Sequence, residues 1–248
     1  MSSPFSLAGK TAVVTGANTG IGQAIALSVA EAGAEVICAG RSAVTETLDL
    51  IAAAGGKARG LALDLADPLA GRKVFDNLGP VDILVNNAGI IRRNDAVDYT
   101  EADWDEVMDV NLKAVFFLCQ GFAKATFARQ AKGKIVNIAS LLSFQGGIRI
   151  ASYTSSKSGV AGLTKLLANE WAAKGINVNA IAPGYIVTNN TEALRADPVR
   201  NKSILDRIPA GHWGEASDIG GTAVFLASPA ADYIHGAILN VDGGWLAR

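Results

Sequence analysis

The chain has 248 residues, half of them hydrophobic, with 22 Lys and Arg against 23 Asp and Glu for a net charge of −1. That balance argues against a nucleic-acid or anionic-membrane partner. The apolar fraction is enough for one sizeable core, and no apolar run reaches the ~18 residues of a spanning helix. The N-terminus, Met1-Ser-Ser-Pro-Phe-Ser6, lacks the basic and apolar regions of a signal peptide. Cys38 and Cys119 read as reduced core residues, and His212 and His235 show no metal-ligand spacing, so a cytoplasmic protein without a metal is expected.

Apolar runs and helical stretches alternate along the chain. Strands are predicted over 11–15, 35–39, 58–63, 82–86, 134–138, 176–181 and 237–241. Helices are predicted over 20–32, 43–54, 67–78, 101–130, 152–174, 190–207 and 216–228. Such alternation implies one α/β domain over residues 1–248, a Rossmann-type doubly wound parallel sheet of seven strands in the order 3-2-1-4-5-6-7. Ligands bind such sheets beyond the C-terminal strand ends.

The first strand runs into Gly16-Ala-Asn18-Thr19-Gly20-Ile21-Gly22 and then a helix. Glycines allow a tight turn and close approach to a pyrophosphate, and the helix start offers free N–H groups. The same pattern also serves packing. The second strand ends Gly40-Arg41-Ser42. No acid stands at Gly40 to hold a ribose 2′-hydroxyl, and the Arg41 guanidinium suits a 2′-phosphate, although it could equally stack on adenine. Asp64-Leu65 follows the third strand, and Asp64 could instead cap the next helix. The fourth strand ends Asn86-Asn87-Ala88-Gly89 and continues Ile90-Ile91-Arg92-Arg93. Either arginine suits a carboxylate by charge-assisted bonds, but adjacent side chains diverge, so one of the two is expected to reach a ligand; surface charge or a subunit contact is the alternative.

Asn111 lies inside the long predicted helix, and Ser140 ends the fifth strand. Beyond it, Gln145 and Arg149 offer polar groups, and Tyr153 and Lys157 share one helix face four residues apart. A phenol loses its proton near pH ~10, and a nearby ammonium lowers that value. The pair could exchange a proton with an alcohol or carbonyl oxygen; alone, it could equally be a solvated helix face. Pro183 and Gly184 follow the sixth strand. The segment 184–214 departs from the compact alternation, with Asn189, Asn190, Thr191 and Trp213 offering polyol-binding and stacking groups, and a substrate lid is expected around it.

Thr15-Gly-x-x-x-Gly-Ile-Gly22, Asn86-Asn-Ala-Gly89, Asn111, Ser140, Tyr153-x-x-x-Lys157 and Pro183-Gly184 occur in the order found in classical short-chain dehydrogenases/reductases. The chain resembles that family from Leu7 to its last residue. The resemblance implies Tyr153 as the proton-exchanging group, Ser140 polarising the substrate oxygen, Lys157 tuning the phenol and holding ribose hydroxyls, and Asn111 holding a relay water. It implies a nicotinamide dinucleotide, NADP or NAD, bound by Gly16, Asn18, Thr19, Gly20, Ile21, Gly22, Arg41, Ser42, Asp64, Leu65, Asn87, Ala88, Gly89, Tyr153, Lys157, Pro183, Gly184, Ile186 and Thr188. Gly40-Arg41 tips the choice toward NADP. Relatives pair the helices at 101–130 and 152–174, here carrying Phe116, Phe117, Leu166, Leu167 and Trp171, into homotetramers. The final Trp245-Leu-Ala-Arg248 reads as an exposed apolar end.

Gly89-Ile-Ile-Arg-Arg93, Leu142-Ser-Phe-Gln-Gly-Gly147 and Ala182-Pro-Gly-Tyr-Ile-Val-Thr-Asn-Asn-Thr191 are similar to the branch of the family that acts on deoxy sugar acids in pectin and uronate breakdown. That likeness implies hydride transfer at a secondary alcohol or ketone of 2-deoxy-D-gluconate or 2-dehydro-3-deoxy-D-gluconate. Arg92, Arg93, Ser140, Gln145, Arg149, Tyr153, Asn190 and Trp213 are the expected substrate contacts. Gluconate 5-dehydrogenases are the nearest alternative. Further off stand 3-oxoacyl-carrier-protein reductases and a non-catalytic nucleotide-binding protein on the same fold.

Overall fold

A computed structural model describes residues 3–248, so the first two residues of the N-terminal stretch lie outside the described chain. Seven strands form one parallel sheet: β1 (Thr11–Thr15), β2 (Glu35–Gly40), β3 (Lys57–Ala62), β4 (Ile83–Asn86), β5 (Gly133–Ile138), β6 (Ile176–Pro183) and β7 (Ile238–Val241). Their order is β3-β2-β1-β4-β5-β6-β7, as the alternation implied. Successive strand residues point to opposite faces. Thus Val14, Cys38, Val85 and Val136 pack on one side, against α1 (Gly20–Glu31), α2 (Thr45–Ala53) and α9 (Ala216–Ala227). Val13, Ile37, Leu84 and Ile135 pack on the other, against α5 (Ala114–Ala128) and α6 (Ala151–Trp171). Both faces are covered, which is why the strands read as continuous apolar runs rather than alternating ones.

Three predicted helices differ from those observed. Between β3 and β4 only α3 (Ala70–Lys73) and a 3₁₀ turn, Val74–Asp76, replace the helix expected over 67–78. Gly71 and the poor helix formers Val74-Phe75-Asp76-Asn77 weaken a helix there, and the Asp67 carboxylate accepts from the backbone N–H of Leu69 at 3.0 Å in a local turn. The long helix over 101–130 is α4 (Glu101–Met108) and α5 joined by one π-helical turn, Asp109–Lys113. Asn111 sits inside that turn, a place where such widenings mark functional sites. The helix over 190–207 is two pieces, α7 (Glu192–Ala196) and α8 (Pro198–Leu205). Pro198 disfavours helix at Asp197, and Asp197 instead caps α8 by accepting from Val199 N at 2.9 Å and Arg200 N at 3.1 Å.

Polar side chains inside this apolar frame hold the connections in place. On β6, Asn179 donates to the Ile234 carbonyl at 2.8 Å and accepts from Ala237 N at 3.0 Å, while Asn177 donates to carbonyls of the same loop. A loop crossing a sheet edge leaves unpaired backbone groups, and these two amides satisfy them. Asn179→Ala is expected to lower unfolding stability by on the order of 2–4 kcal/mol, because it leaves buried groups unsatisfied. The check is the urea midpoint, and an unchanged midpoint would mean that other contacts hold the loop.

Candidate active site

The C-terminal strand ends surround a cavity of about 1020 Å³. Its floor is built where β1 and β4 separate into their loops. Thr15 Oγ1 accepts from the backbone N–H groups of Asn87 (3.0 Å) and Ala88 (3.1 Å). The Asn87 side chain donates back to the carbonyls of Thr15 (3.0 Å) and Gly16 (3.2 Å). The glycine turn is so close to this brace that a Cβ on Gly22 would lie 2.1 Å from Gly16 O and 2.3 Å from Asn87 Nδ2. Gly16 itself has φ +65°. Only glycine satisfies both demands. Thr19 precedes α1 without a side-chain cap, and no acidic residue occupies the first turn. The helix therefore presents free N–H groups and a positive dipole end to the cavity, which fits a pyrophosphate.

The cavity wall includes Gly16, Asn18, Thr19, Gly20, Ile21, Gly22, Arg41, Ser42, Asp64 and Leu65 at one end. Asn18 Nδ2 donates to Ser42 Oγ at 3.0 Å, tying the glycine turn to the end of β2. Asp64 accepts from Ala66 N at 3.0 Å in a local turn and does not cap the next helix. Asn87, Ala88, Gly89, Pro183, Gly184 and Thr188 line the middle. Ile186 does not line it; its side chain is buried in the core.

Tyr153 and Lys157 project from α6 toward Ser140, at the end of β5. Ser140 begins a 3₁₀ turn and accepts from Leu142 N at 3.2 Å. That turn is held on α6 by Ser143 Oγ donating to the Lys157 carbonyl (2.7 Å) and Ser158 Oγ donating to the Leu142 carbonyl (3.1 Å). The Lys157 ammonium donates to the Ile138 carbonyl at 2.6 Å and lies 5.7 Å from the centre of the Tyr153 ring. Burial, not that ammonium, dominates the phenol, whose pKa is raised above its ordinary value. A hydrogen bond with Ser140 and the positive field of Arg93 act in the opposite direction. Burial thus outweighs the lowering expected from the nearby ammonium, with Ser140 and Arg93 acting toward the phenolate. Burial also lowers Lys157 from 10.5 to about 8.

Asn111 is fully buried and does not reach the cavity. Its amide accepts from Ile90 N and donates to Ile90 O, both at 2.8 Å, and donates to Ser156 Oγ at 3.3 Å. It clamps the loop after β4 to α6, so its side chain positions the site.

The substrate contacts expected from sequence divide sharply. Arg93, Ser140, Gln145, Tyr153 and Asn190 line the cavity, and Arg92, Arg149 and Trp213 do not. Arg92 turns to α4, pairing with Glu106 at 2.7 Å and Asp103 at 3.7 Å. Arg149, at φ +63°, pairs with Asp95 at 3.1 Å. Trp213 donates to Asn201 at 2.8 Å and packs on Tyr185. Tyr185, Arg200, Arg207 and Trp245 line the cavity without having been expected there. Trp245 is not an exposed apolar end but 4% exposed, because the turn at Gly243 and Gly244 folds the C-terminus back. For Arg207 the sequence held a signal, since no Asp or Glu stands three or four residues before it; Asp197 stands three before Arg200 and hides the same signal there.

A family model described as enoyl-(acyl carrier protein) reductase matches residues 16–246. The chain is 55% identical over 250 residues to the 2-dehydro-3-deoxy-D-gluconate 5-dehydrogenase of Escherichia coli K12, covering 99% of each chain. To the enzyme of that name from Bacillus subtilis 168 it is 56% identical over 249 residues, 98% of this chain and 97% of the other. Among solved structures it superposes with a TM-score of 0.98 and 71% identity, over 100% of both chains, on an Agrobacterium tumefaciens protein with bound NADP, provisionally assigned as a 2-deoxy-D-gluconate 3-dehydrogenase.

The buried ammonium at Lys157 costs the fold stability. An unfolded lysine keeps its proton to a higher pH, so the cost is fully present below pH 8, shrinks as pH rises from about 8 to 10.5, and is gone above that. Its size is on the order of 3 kcal/mol. Lys157→Met is expected to be more stable than the parent at pH 7, less the loss at the Ile138 carbonyl, with the gain vanishing by pH 10.5. Urea midpoints at both pH values check this, and a difference independent of pH would contradict it.

Proposed function

We propose a deoxy sugar acid as the substrate of this chain, which belongs to the short-chain dehydrogenase/reductase family of oxidoreductases acting on CH–OH groups. The reaction is hydride transfer between NADP(H) and a secondary alcohol or ketone of 2-dehydro-3-deoxy-D-gluconate or 2-deoxy-D-gluconate. The observation that carries the substrate class is the company of Tyr153: its cavity is lined by Arg93, Arg200 and Arg207, none with a carboxylate of its own within ion-pair distance among the described residues. A small anion with hydroxyls matches that wall, whereas an acyl chain would call for an apolar one. The names of the relatives support the same class.

The cofactor reading rests on fit. The glycine turn and the uncapped start of α1 suit a pyrophosphate, and Arg41, exposed and without an acidic partner, suits a 2′-phosphate at the end of β2. When bound, the nicotinamide supplies the hydride donor or acceptor. The protein manages the proton and the geometry. Tyr153 gives its phenolic proton to the carbonyl oxygen in reduction, or takes the hydroxyl proton in oxidation. Ser140 holds that oxygen, and Arg93 steadies the charge that develops on the phenolate. Lys157 keeps an ammonium beneath the ring. The segment 184–214, with its joint at Asp197-Pro198, acts as the substrate lid.

In the same reading the enzyme works in the cytoplasm as a homotetramer. Both cysteines are buried and unpaired. Leu166 is half exposed on α6, beside a shallow groove lined by Leu112, Phe116 and Leu163, whereas Leu167 and Trp171 face inward and serve the core.

Initial rates by cofactor absorbance test the proposal, with 2-dehydro-3-deoxy-D-gluconate, 2-deoxy-D-gluconate and gluconate, each against NAD(H) and NADP(H). Preference for a deoxy acid with NADP(H) is expected; preference for gluconate would move the chain to the neighbouring branch. Arg41→Ala should reduce the preference for NADP(H). Tyr153→Phe should lower turnover by about 10²–10⁴-fold with dinucleotide affinity kept. Near-normal turnover in that variant would remove Tyr153 from its role.

A further inference from the structure

We infer that Arg207 is the group that receives the carboxylate of the substrate, held ready for it on the face of Trp245; the inference rests on the sugar-acid reading and gives its anion a seat. The cavity-lining arginines fall into three stations. Arg41 stands beside Ser42 at the end of β2. Arg93 lines the cavity with Tyr153, and its field acts on the phenol. Arg200 and Arg207 come from α8 and the turn after it and act on Tyr185, whose ring lies against Trp245.

Between those two, Arg207 is the organised one. Its guanidinium lies 3.9 Å from the centre of the Trp245 ring, a close cation–π stack. The ring beneath it is fixed. Trp245 is almost fully buried, its Nε1 donates to Gln145 Oε1 at 3.1 Å, and the Tyr185 ring lies 4.7 Å away. Ile204 and Ile208, on either side of Arg207 in sequence, are buried in the same cluster. A stacked guanidinium keeps its N–H edge free, and that edge matches a carboxylate with two parallel bonds. An arginine already held in one orientation loses less freedom when it binds. No acidic side chain uses this edge, whereas Arg92 and Arg149, outside the cavity, are both ion-paired. With the carboxylate at Arg207 and the reacting oxygen at Tyr153, the carbon that is oxidised or reduced stands apart from the acid end of the chain.

Arg207→Met and Arg207→Lys test this with 2-dehydro-3-deoxy-D-gluconate and its uncharged primary amide. In Arg207→Met the preference for acid over amide in kcat/KM should fall by about 10–100-fold, through KM rather than kcat, since a charge-assisted pair contributes in that range. Arg207→Lys should recover part of it. Equal loss on acid and amide would assign Arg207 to folding alone, and no loss on either would leave it without a role; either result overturns the inference. A second measurement does not need turnover: calorimetric binding of tartrate, a small hydroxy acid, to the NADP-loaded enzyme. Binding should weaken at least about 10-fold in Arg207→Met, and equal binding in parent and variant overturns the inference. Tartrate binding that depends on Arg207 in an enzyme inactive on every sugar acid would keep the anion seat and discard the substrate reading. A parent enzyme that neither turns over the acids nor binds tartrate overturns both.

Discussion

The brace between Thr15 and Asn87 is the constraint on which the site depends. At the point where the strand order turns from β1 to β4, two loops leave the sheet in opposite directions, and a crevice opens between them. Left alone, the freed backbone groups at that edge would seek water. Thr15 and Asn87 answer them with each other's side chains, so the crevice keeps its shape without filling. The price is paid in side-chain volume, since Gly22 has no room for a methyl group. From that fixed edge the rest follows: the start of α1 faces the crevice, and Asn111 fastens the next loop to α6 through Ile90.

The catalytic end works against the tendency of a core to exclude charge. Lys157 is almost fully buried with a single carbonyl for company, and Tyr153 is held mainly in its neutral form. Both departures have one cause, the removal of water, and both are relieved by charges that a ligand would bring. Arg93 is the protein's own contribution to that relief. A site that is electrostatically uncomfortable by itself leaves binding energy available for the reacting state.

The sheet was legible because parallel strands covered on both faces are continuous apolar runs, and the strand boundaries fall within a residue or two of those runs, as at β1, β5 and β6. The glycine turn and the Tyr153–Lys157 spacing were legible because local backbone demands are written in adjacent residues. The substrate end was not, because it is assembled from distant ones. Nothing in Arg92-Arg93 tells which side chain turns outward; Glu106 and Asp103, a helix away, decide it. Trp213 was expected at the substrate and Trp245 at an exposed end, yet the first is held by Asn201 away from the cavity and the second forms its wall. The lid was expected as one helix over 190–207, and the proline that divides it acts on the residue before itself.

The position of Trp245 orders events during synthesis. Strands β1 to β6 can pair and bury their faces while the chain is still being made, since each joins a neighbour already present. The pocket wall cannot, because Trp245 is held by Gln145, one hundred residues earlier. Until the turn that carries Trp245 has been made, the nascent protein has its dinucleotide-shaped crevice without its substrate enclosure. Completion of the active site therefore waits on a residue that follows β7, the last strand to join the sheet.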